Sequence, residues 1–278
     1  MKASHFSVAA VLMAPLFLAA CGPTGSSSFL TSDAETSGVL GAQANIASLS
    51  ETLKANPGDA QAHNVRGTAF ARAGRPQEAL TDFNAALQID PNMYQAYANR
   101  ALVQKQLGRP QDALQDFNRA IELNPNYDQA YVNRAGLYNQ AGQVDMALAD
   151  LDTALRINGQ NAAAYYGRAL IEQARGQHQQ AIPDFSKAIE RDATSAEHFN
   201  GRGLSKLALG DAKSALDDFN AALNVKLDYA SAWANRGFAQ ESLGDRDGAR
   251  QACQKALSLD PQLQVAKDCL RRVGGART

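Results

Sequence analysis

Apolar residues recur at helical spacing along most of this chain, and from residue 60 to residue 263 they do so in a 34-residue frame repeated six times without insertion. Counting Ala60 as position 1, position 15 is glycine in every frame: Gly74, Gly108, Gly142, Gly176, Gly210 and Gly244. Position 20 is always alanine, from Ala79 to Ala249, position 27 is always alanine, from Ala86 to Ala256, and position 8 is always glycine or alanine. Small residues at 8 and 20, at matching heights on either side of a turn at 15, let two antiparallel helices approach closely, so each frame predicts a helical hairpin. Hairpins that expose an apolar side must stack, and a stack needs covers at its ends. The apolar face of Ile46, Leu49 and Leu53 predicts a first cover over about Gln43 to Lys54, before Asn56-Pro57-Gly58. Val265, Ala266, Cys269, Leu270 and Val273 predict a last one over about Gln262 to Val273.

These positions resemble the tetratricopeptide repeat, whose pattern has an aromatic at 4, small residues at 8 and 20, an aromatic at 24, Ala at 27 and Pro at 32. Position 4 reads His63, Tyr97, Tyr131, Tyr165, Phe199 and Trp233, and position 24 reads Phe83, Phe117, Leu151, Phe185, Phe219 and Cys253. The departures are at position 11, where only Phe70 and Tyr138 are aromatic, and at position 32, where Gly159, Ala193 and Leu227 replace the proline kept at Pro91, Pro125 and Pro261. They put the packing between units three to six in question. The resemblance implies an all-α fold, a right-handed α-α superhelix with a capping helix at each end. In such arrays the first helices line a concave face, with positions 2, 5, 6, 9, 12 and 13 pointing inward. Here these positions carry repeated amides, and Asn64, Asn99, Asn133, Asn139, Tyr166, Asn200 and Asn235 are the candidate partner-binding residues. Such a face can hydrogen-bond an extended backbone or a helix with little charge preference. The clustered lysines that chaperone-tail-binding members of the family place at positions 5 and 6 are missing from it.

The amino terminus follows another pattern. Met1 and Lys2 are followed by an apolar run from Phe6 to Leu18, broken only by Pro15, which reads as an export signal and is short for a membrane span of about 20 residues. Leu18-Ala19-Ala20-Cys21 resembles the bacterial lipobox, which implies cleavage before Cys21 and acylation of that residue. Gly22 in the following position implies the outer membrane by the enteric rule. Two or three acyl chains anchor stably, since each buried methylene contributes about 0.8 kcal/mol. Residues 22 to 41, rich in Gly, Ser and Thr, read as a flexible tether with a reach of about 25 Å. The expected organisation is a signal peptide over 1–20, a lipidated tether over 21–42, an amino-terminal cap over 43–59, six repeats over 60–263 and a carboxy-terminal cap and tail over 264–278.

Composition narrows the function. With 27 Lys and Arg against 28 Asp and Glu, the net charge is −1, and loss of Lys2 with the signal makes it −2. No basic footprint for nucleic acid exists at that balance. His63, His178 and His198 fall at unrelated repeat positions, and His63 stands where other units pack an aromatic. The Asp-Phe-Asn triplets opened by Asp82, Asp116 and Asp218 come one per repeat, too far apart for a calcium loop, which gathers its oxygens within about a dozen residues. There is no phosphate-cradling glycine loop, no Cys-x-x-Cys pair and no nucleophile motif, so neither catalysis, a metal nor a cofactor is expected.

Arginine fills position 7 in all six units, from Arg66 through Arg100, Arg134, Arg168 and Arg202 to Arg236, and aspartate fills position 23 in five, at Asp82, Asp116, Asp150, Asp184 and Asp218. Position 23 lies one turn beyond position 20 and faces position 7 across the hairpin. Arg100 with Asp116 and Arg134 with Asp150 are therefore expected structural ion pairs; unpaired, the same arginines would form a basic stripe for acidic partners. Cys253 and Cys269 lie eight residues before and after Pro261, at matching heights of a hairpin, where either a disulfide or a pair of small buried thiols fits. The combined expectation is a lipid-anchored, periplasm-facing adaptor of the bacterial envelope that binds protein segments in a concave groove. In this it resembles the repeat lipoproteins that scaffold peptidoglycan hydrolases, with the pilotin-like assembly factors of pilus and secretin complexes as the alternative.

Overall fold

The computed structural model describes residues 32–274, so the export segment, Cys21 and the first part of the expected tether lie outside the described residues. Among them are fourteen helices. A leading helix, α1 (Ser32–Ala55), precedes six hairpins: α2 (Ala60–Arg72) with α3 (Pro76–Ile89), α4 (Tyr94–Gln106) with α5 (Pro110–Leu123), α6 (Asp128–Gln140) with α7 (Val144–Ile157), α8 (Ala162–Ala174) with α9 (His178–Arg191), α10 (Ala196–Ala208) with α11 (Ala212–Val225), and α12 (Ala230–Ser242) with α13 (Arg246–Leu259). The closing helix is α14 (Gln264–Gly274). Every hairpin begins on the first position of its 34-residue frame.

The glycine at position 15 sets the turn. Gly74 has φ of +71°, and the Arg75 N–H donates to the Phe70 carbonyl at 2.9 Å while the Gly74 N–H donates to Ala71 at 3.1 Å, which satisfies carbonyls that the helix end leaves open. All six position-15 glycines have positive φ, a conformation costly for other residues. The turn between units is held differently. At position 31, the side chains of Asp90, Asn124, Asn158, Asp192 and Asp260 accept from the backbone N–H two residues on, at 2.9 to 3.1 Å. These Asx turns preset the chain whether or not proline follows, so Gly159 and Ala193 leave the unit junctions intact.

Position 24 supplies the core: Phe83, Phe117, Phe185 and Phe219 are fully buried, each contributing about 2–3 kcal/mol by burial. They occupy the space that position 8 leaves open. A Cβ added to Gly203 would lie 2.7 Å from the Phe219 ring, and one on Gly67 2.8 Å from Phe83. In the last unit a disulfide between Cys253 of α13 and Cys269 of α14, with Cα atoms 5.8 Å apart and both side chains buried, takes the place of that ring against Gly237.

One boundary differs from the expectation. The tether was expected to run to residue 42, yet α1 is helical from Ser32. Residues 32–42 contain no proline, so nothing in the segment removes a backbone donor or blocks the helix of residues 43–55 from running back through it. At its other end α1 covers the stack as a cap should, burying Ile46 and Leu53, with Ile46 against Phe70 and Phe83.

Each first helix packs on its own second helix and on the second helix of the preceding unit. The first helices also touch one another, as in α2 with α4, α6 with α8, α8 with α10 and α10 with α12, and no comparable contact joins successive second helices among the described residues. A stack whose first helices are the closer set curves toward them. They line its inner face.

Candidate functional site

Two sets of side chains are organised by this stacking, one between the second helices and one on the inner face. On the outer side, position 7 of each first helix reaches between two second helices. Arg134 donates from Nε and Nη2 to the two carboxylate oxygens of Asp150 at 2.8 and 2.7 Å, and from Nη1 to Asn118 Oδ1 of the preceding unit at 2.8 Å. Arg100 does the same with Asp116 (2.7 and 2.6 Å) and Asn84 (2.7 Å), Arg168 with Asp184 and Asp152, Arg202 with Asp218 and Ser186, and Arg66 with Asp82 and Ser50 of α1. The five aspartates are 3 to 7% exposed, so each fork is a half-buried, bidentate pair. Hydrogen bonding to Asp82 and Asp116 holds the Arg66 and Arg100 guanidinium groups above their ordinary value against the opposing effect of burial. Five arginines are thus neutralised in place and form no basic stripe. His63 joins the first fork, its Nδ1 3.0 Å from Asp82.

The ladder's second acceptor, at position 25, is what reading single units misses. The signal is visible across units: Asn84, Asn118, Asp152 and Ser186 all carry an oxygen there.

On the inner face the amides divide. Positions 5 and 6 of consecutive units oppose each other, so Asn99 donates to Asn64 Oδ1 at 3.0 Å and Asn235 to Asn200 Oδ1 at 2.9 Å. Asn64, Asn200 and Asn235 are buried at 5 to 7% exposure and are spent on these inter-unit bonds. Their assignment to a partner-binding groove is corrected: a buried amide pairs with its neighbour because leaving it unpaired costs about 1–3 kcal/mol, and at 5 to 7% exposure little of these side chains is within reach of a partner. Tyr166 packs at a tilt, with its ring 5.9 Å from Phe185 and 4.8 Å from His198. Asn99 and Asn133 are half-buried, and Asn139 is exposed.

The inner face also presents large aliphatic side chains. Val65, Leu102 and Leu170, at positions 6 and 9, are about 40% exposed, a share at which large aliphatic side chains stand out of the surface. Beside them the Lys105 ammonium lies half-buried above Gly136, where an added Cβ would be 3.8 Å from Nζ, and burial pushes its pKa down. The surface therefore combines aliphatic contact, exposed amides and one desolvated cation. It suits a protein segment. Among the described residues no three His, Cys, Asp or Glu side chains gather as a metal site, and no helix is long and apolar enough to cross a membrane.

Profiles of the tetratricopeptide repeat match this chain at residues 94–127 and 230–263, at 46–94 and 140–196, and at 117–149. The chain belongs to the tetratricopeptide-repeat family. Its superhelix is similar in fold to other members. A chain of the APC/C hetero-tetramer Cut9-Hcn1 matches with a TM-score of 0.75 at 17% identity, over 86% of this chain and 47% of that one, so this chain spans about half its length. PilF of Pseudomonas aeruginosa matches with 0.70 at 16% identity, over 77% of this chain and 97% of that one. PilW, a type IV pilus biogenesis factor, matches with 0.68 at 17% identity, over 76% of this chain and 98% of that one. No curated protein matches in sequence. Tetratricopeptide repeats are protein-binding scaffolds, and this chain is one.

Proposed function

We propose that this protein is a lipid-anchored adaptor of the bacterial envelope, held by acylated Cys21 and facing the periplasm, which binds a segment of an envelope protein along its inner face. The observation that carries the binding mode is the exposure of Val65, Leu102 and Leu170 on the face lined by the first helices, with Lys105 one turn from Leu102. An amphipathic helix or extended segment would cover those side chains and supply a polar group to the lysine. The anchor rests on the Leu-Ala-Ala-Cys boundary. Of the two partner classes, pilus or secretin components and peptidoglycan hydrolases, the first is favoured by the likeness to PilF and PilW, which this chain matches over nearly their whole length.

The test joins both parts. Photo-reactive residues at Leu102 and Leu170 in the full-length protein, in cells, should crosslink a secretin or pilin, and hydrolases in their place would return the adaptor to the other class. Cys21→Ser should abolish labelling by a radioactive fatty acid and leave the precursor uncleaved. Normal labelling of that variant would remove the anchor from the reading.

A further inference from the structure

Five of the six arginine forks are closed from within and one is open. In the sixth unit position 23 is Ala252, 3% exposed, where the other five units place an aspartate. Arg236 therefore meets no carboxylate among the described residues, and its Nε is buried with no hydrogen-bond partner. The guanidinium lies over the Trp233 ring, 5.0 Å from its centroid, as Arg100, Arg134 and Arg168 lie over their own position-4 rings. The position-25 residue of the preceding unit, Asn220, makes no bond to it of the kind that Asn84 and Asn118 make to Arg100 and Arg134. The five sister forks serve as internal controls. They show that this backbone, with an arginine at position 7, holds a carboxylate in bidentate geometry wherever one is within reach.

The surface beside the open fork is also unlike its sisters. Position 32 is Pro91, Pro125, Gly159 and Ala193 in the first four units and Leu227 in the fifth, where it is 68% exposed. Trp233 links the two features: its indole N–H donates to the Leu227 carbonyl at 2.7 Å while its ring carries Arg236. Val225, 42% exposed, precedes Leu227 on the same turn, and Lys226 lies between them with its ammonium 5.8 Å from the Tyr229 ring. A guanidinium without a carboxylate, an aromatic plate and an exposed aliphatic side chain thus stand together at the junction of the fifth and sixth hairpins.

We propose that this outer seam between the fifth and sixth hairpins is a second docking site, for an acidic segment of a partner protein. A side-chain carboxylate of the partner pairs with the Nη groups of Arg236, the end of the guanidinium that is not buried, and an adjoining apolar side chain lies on Trp233 and Leu227. Charge selects the partner: the arginine offers a planar pair of donors that matches a carboxylate and has no acceptor of its own to satisfy. The site is separate from the inner face, so one protein can hold two segments at once.

Trp233 is the one tryptophan of the chain, so its fluorescence reports this seam alone. The probe is a capped peptide with one glutamate between leucines, titrated against its glutamine counterpart on the full-length protein. The glutamate peptide should change Trp233 emission saturably and bind at least 10-fold tighter than the glutamine one, with the preference falling as salt rises. Ala252→Asp refills the fork from within, as in the five sister units, and should remove the response while leaving the helical circular dichroism unchanged; Arg236→Lys should weaken binding at least 10-fold. Leu102→Asp on the inner face should leave the response intact, which separates this site from the adaptor groove. Equal binding of the two peptides, no saturable response to the glutamate peptide, an unchanged response in Ala252→Asp, or an equal response to acetate would each overturn the proposal. So would a change in emission with protein concentration alone, which would assign the seam to a second copy of the chain.

Discussion

Removing Asp150 asks how much one rung of the arginine ladder stabilises the stack. The substitution Asp150→Ala takes away both acceptors of Arg134, at 2.8 and 2.7 Å, from a fork whose aspartate side chain is 9% and arginine side chain 17% exposed. Removing one partner of a buried pair costs about 3–5 kcal/mol, and of an exposed pair below about 1. Three contacts soften the loss here: Arg134 keeps Asn118 and the rings of Tyr131 and Tyr138, 5.5 and 5.6 Å away. The sixth unit, which folds with Ala252 facing Arg236, shows that the backbone tolerates the vacancy. The expected cost is about 2–3 kcal/mol. Arg134→Leu leaves Asp150 nearly buried without its two charged donors, at a similar cost, and the double variant should regain much of it because nothing charged is left stranded. The measurement is a double-mutant cycle by urea denaturation, fitted unit by unit because a stack of repeats need not unfold in one step. A coupling of about 1.5 kcal/mol or more is expected. One under about 0.5 kcal/mol would refute the ladder as a source of stability.

The disulfide between Cys253 and Cys269 closes a loop of 16 residues in separation, for which the chain-entropy model gives about 3 kcal/mol, so reduction should loosen α14 first; hydrogen exchange confined to α13 and α14 on reduction is the expected readout, and uniform loosening of all six hairpins would contradict it. Glu172 has a buried oxygen without a partner, and its pKa is raised by burial first and then by Asp184. A carboxyl raised in the folded state is free of penalty below its unfolded pKa and costs stability as pH rises toward the folded one. Glu172→Gln should therefore raise the melting temperature at pH 7 and lose that advantage below the ordinary carboxylate range, and equal melting temperatures at pH 7 would refute the assignment.

The hairpins were legible because their determinants lie within one frame: a glycine with positive φ at position 15, and small residues at positions 8 and 20 that admit the position-24 ring. The ion pairs were legible for the same reason, since Arg134 and Asp150 belong to one unit. The amides were not. Whether Asn64 faces a partner or Asn99 depends on how far one unit is rotated on the next, and no residue inside a single frame states that rotation. Proline at position 32 misled in the other direction, because it is a visible marker of the turn while Asp90, Asn124, Asn158 and Asp192 one residue earlier hold it. Leu102, Leu170 and Lys105 sat at positions known to point inward. Amides drew attention by recurring from unit to unit, whereas an exposed leucine stands at position 9 of two units only.

From the second unit to the fifth, the position-7 arginine bonds position 25 of the unit before it. In these units the guanidinium is shared by two successive hairpins, and in the first it is shared with α1, so the spacing and rotation of these joints are set by one kind of bond, which the joint between the fifth and sixth units lacks. Excising 34 residues between equivalent positions, for instance after Arg100 and after Arg134, would rejoin an identical joint. The array can therefore be shortened or lengthened in whole steps by genetic recombination with the arginine bond kept at the rejoined joint, and the span of partner it embraces is reset in the same steps.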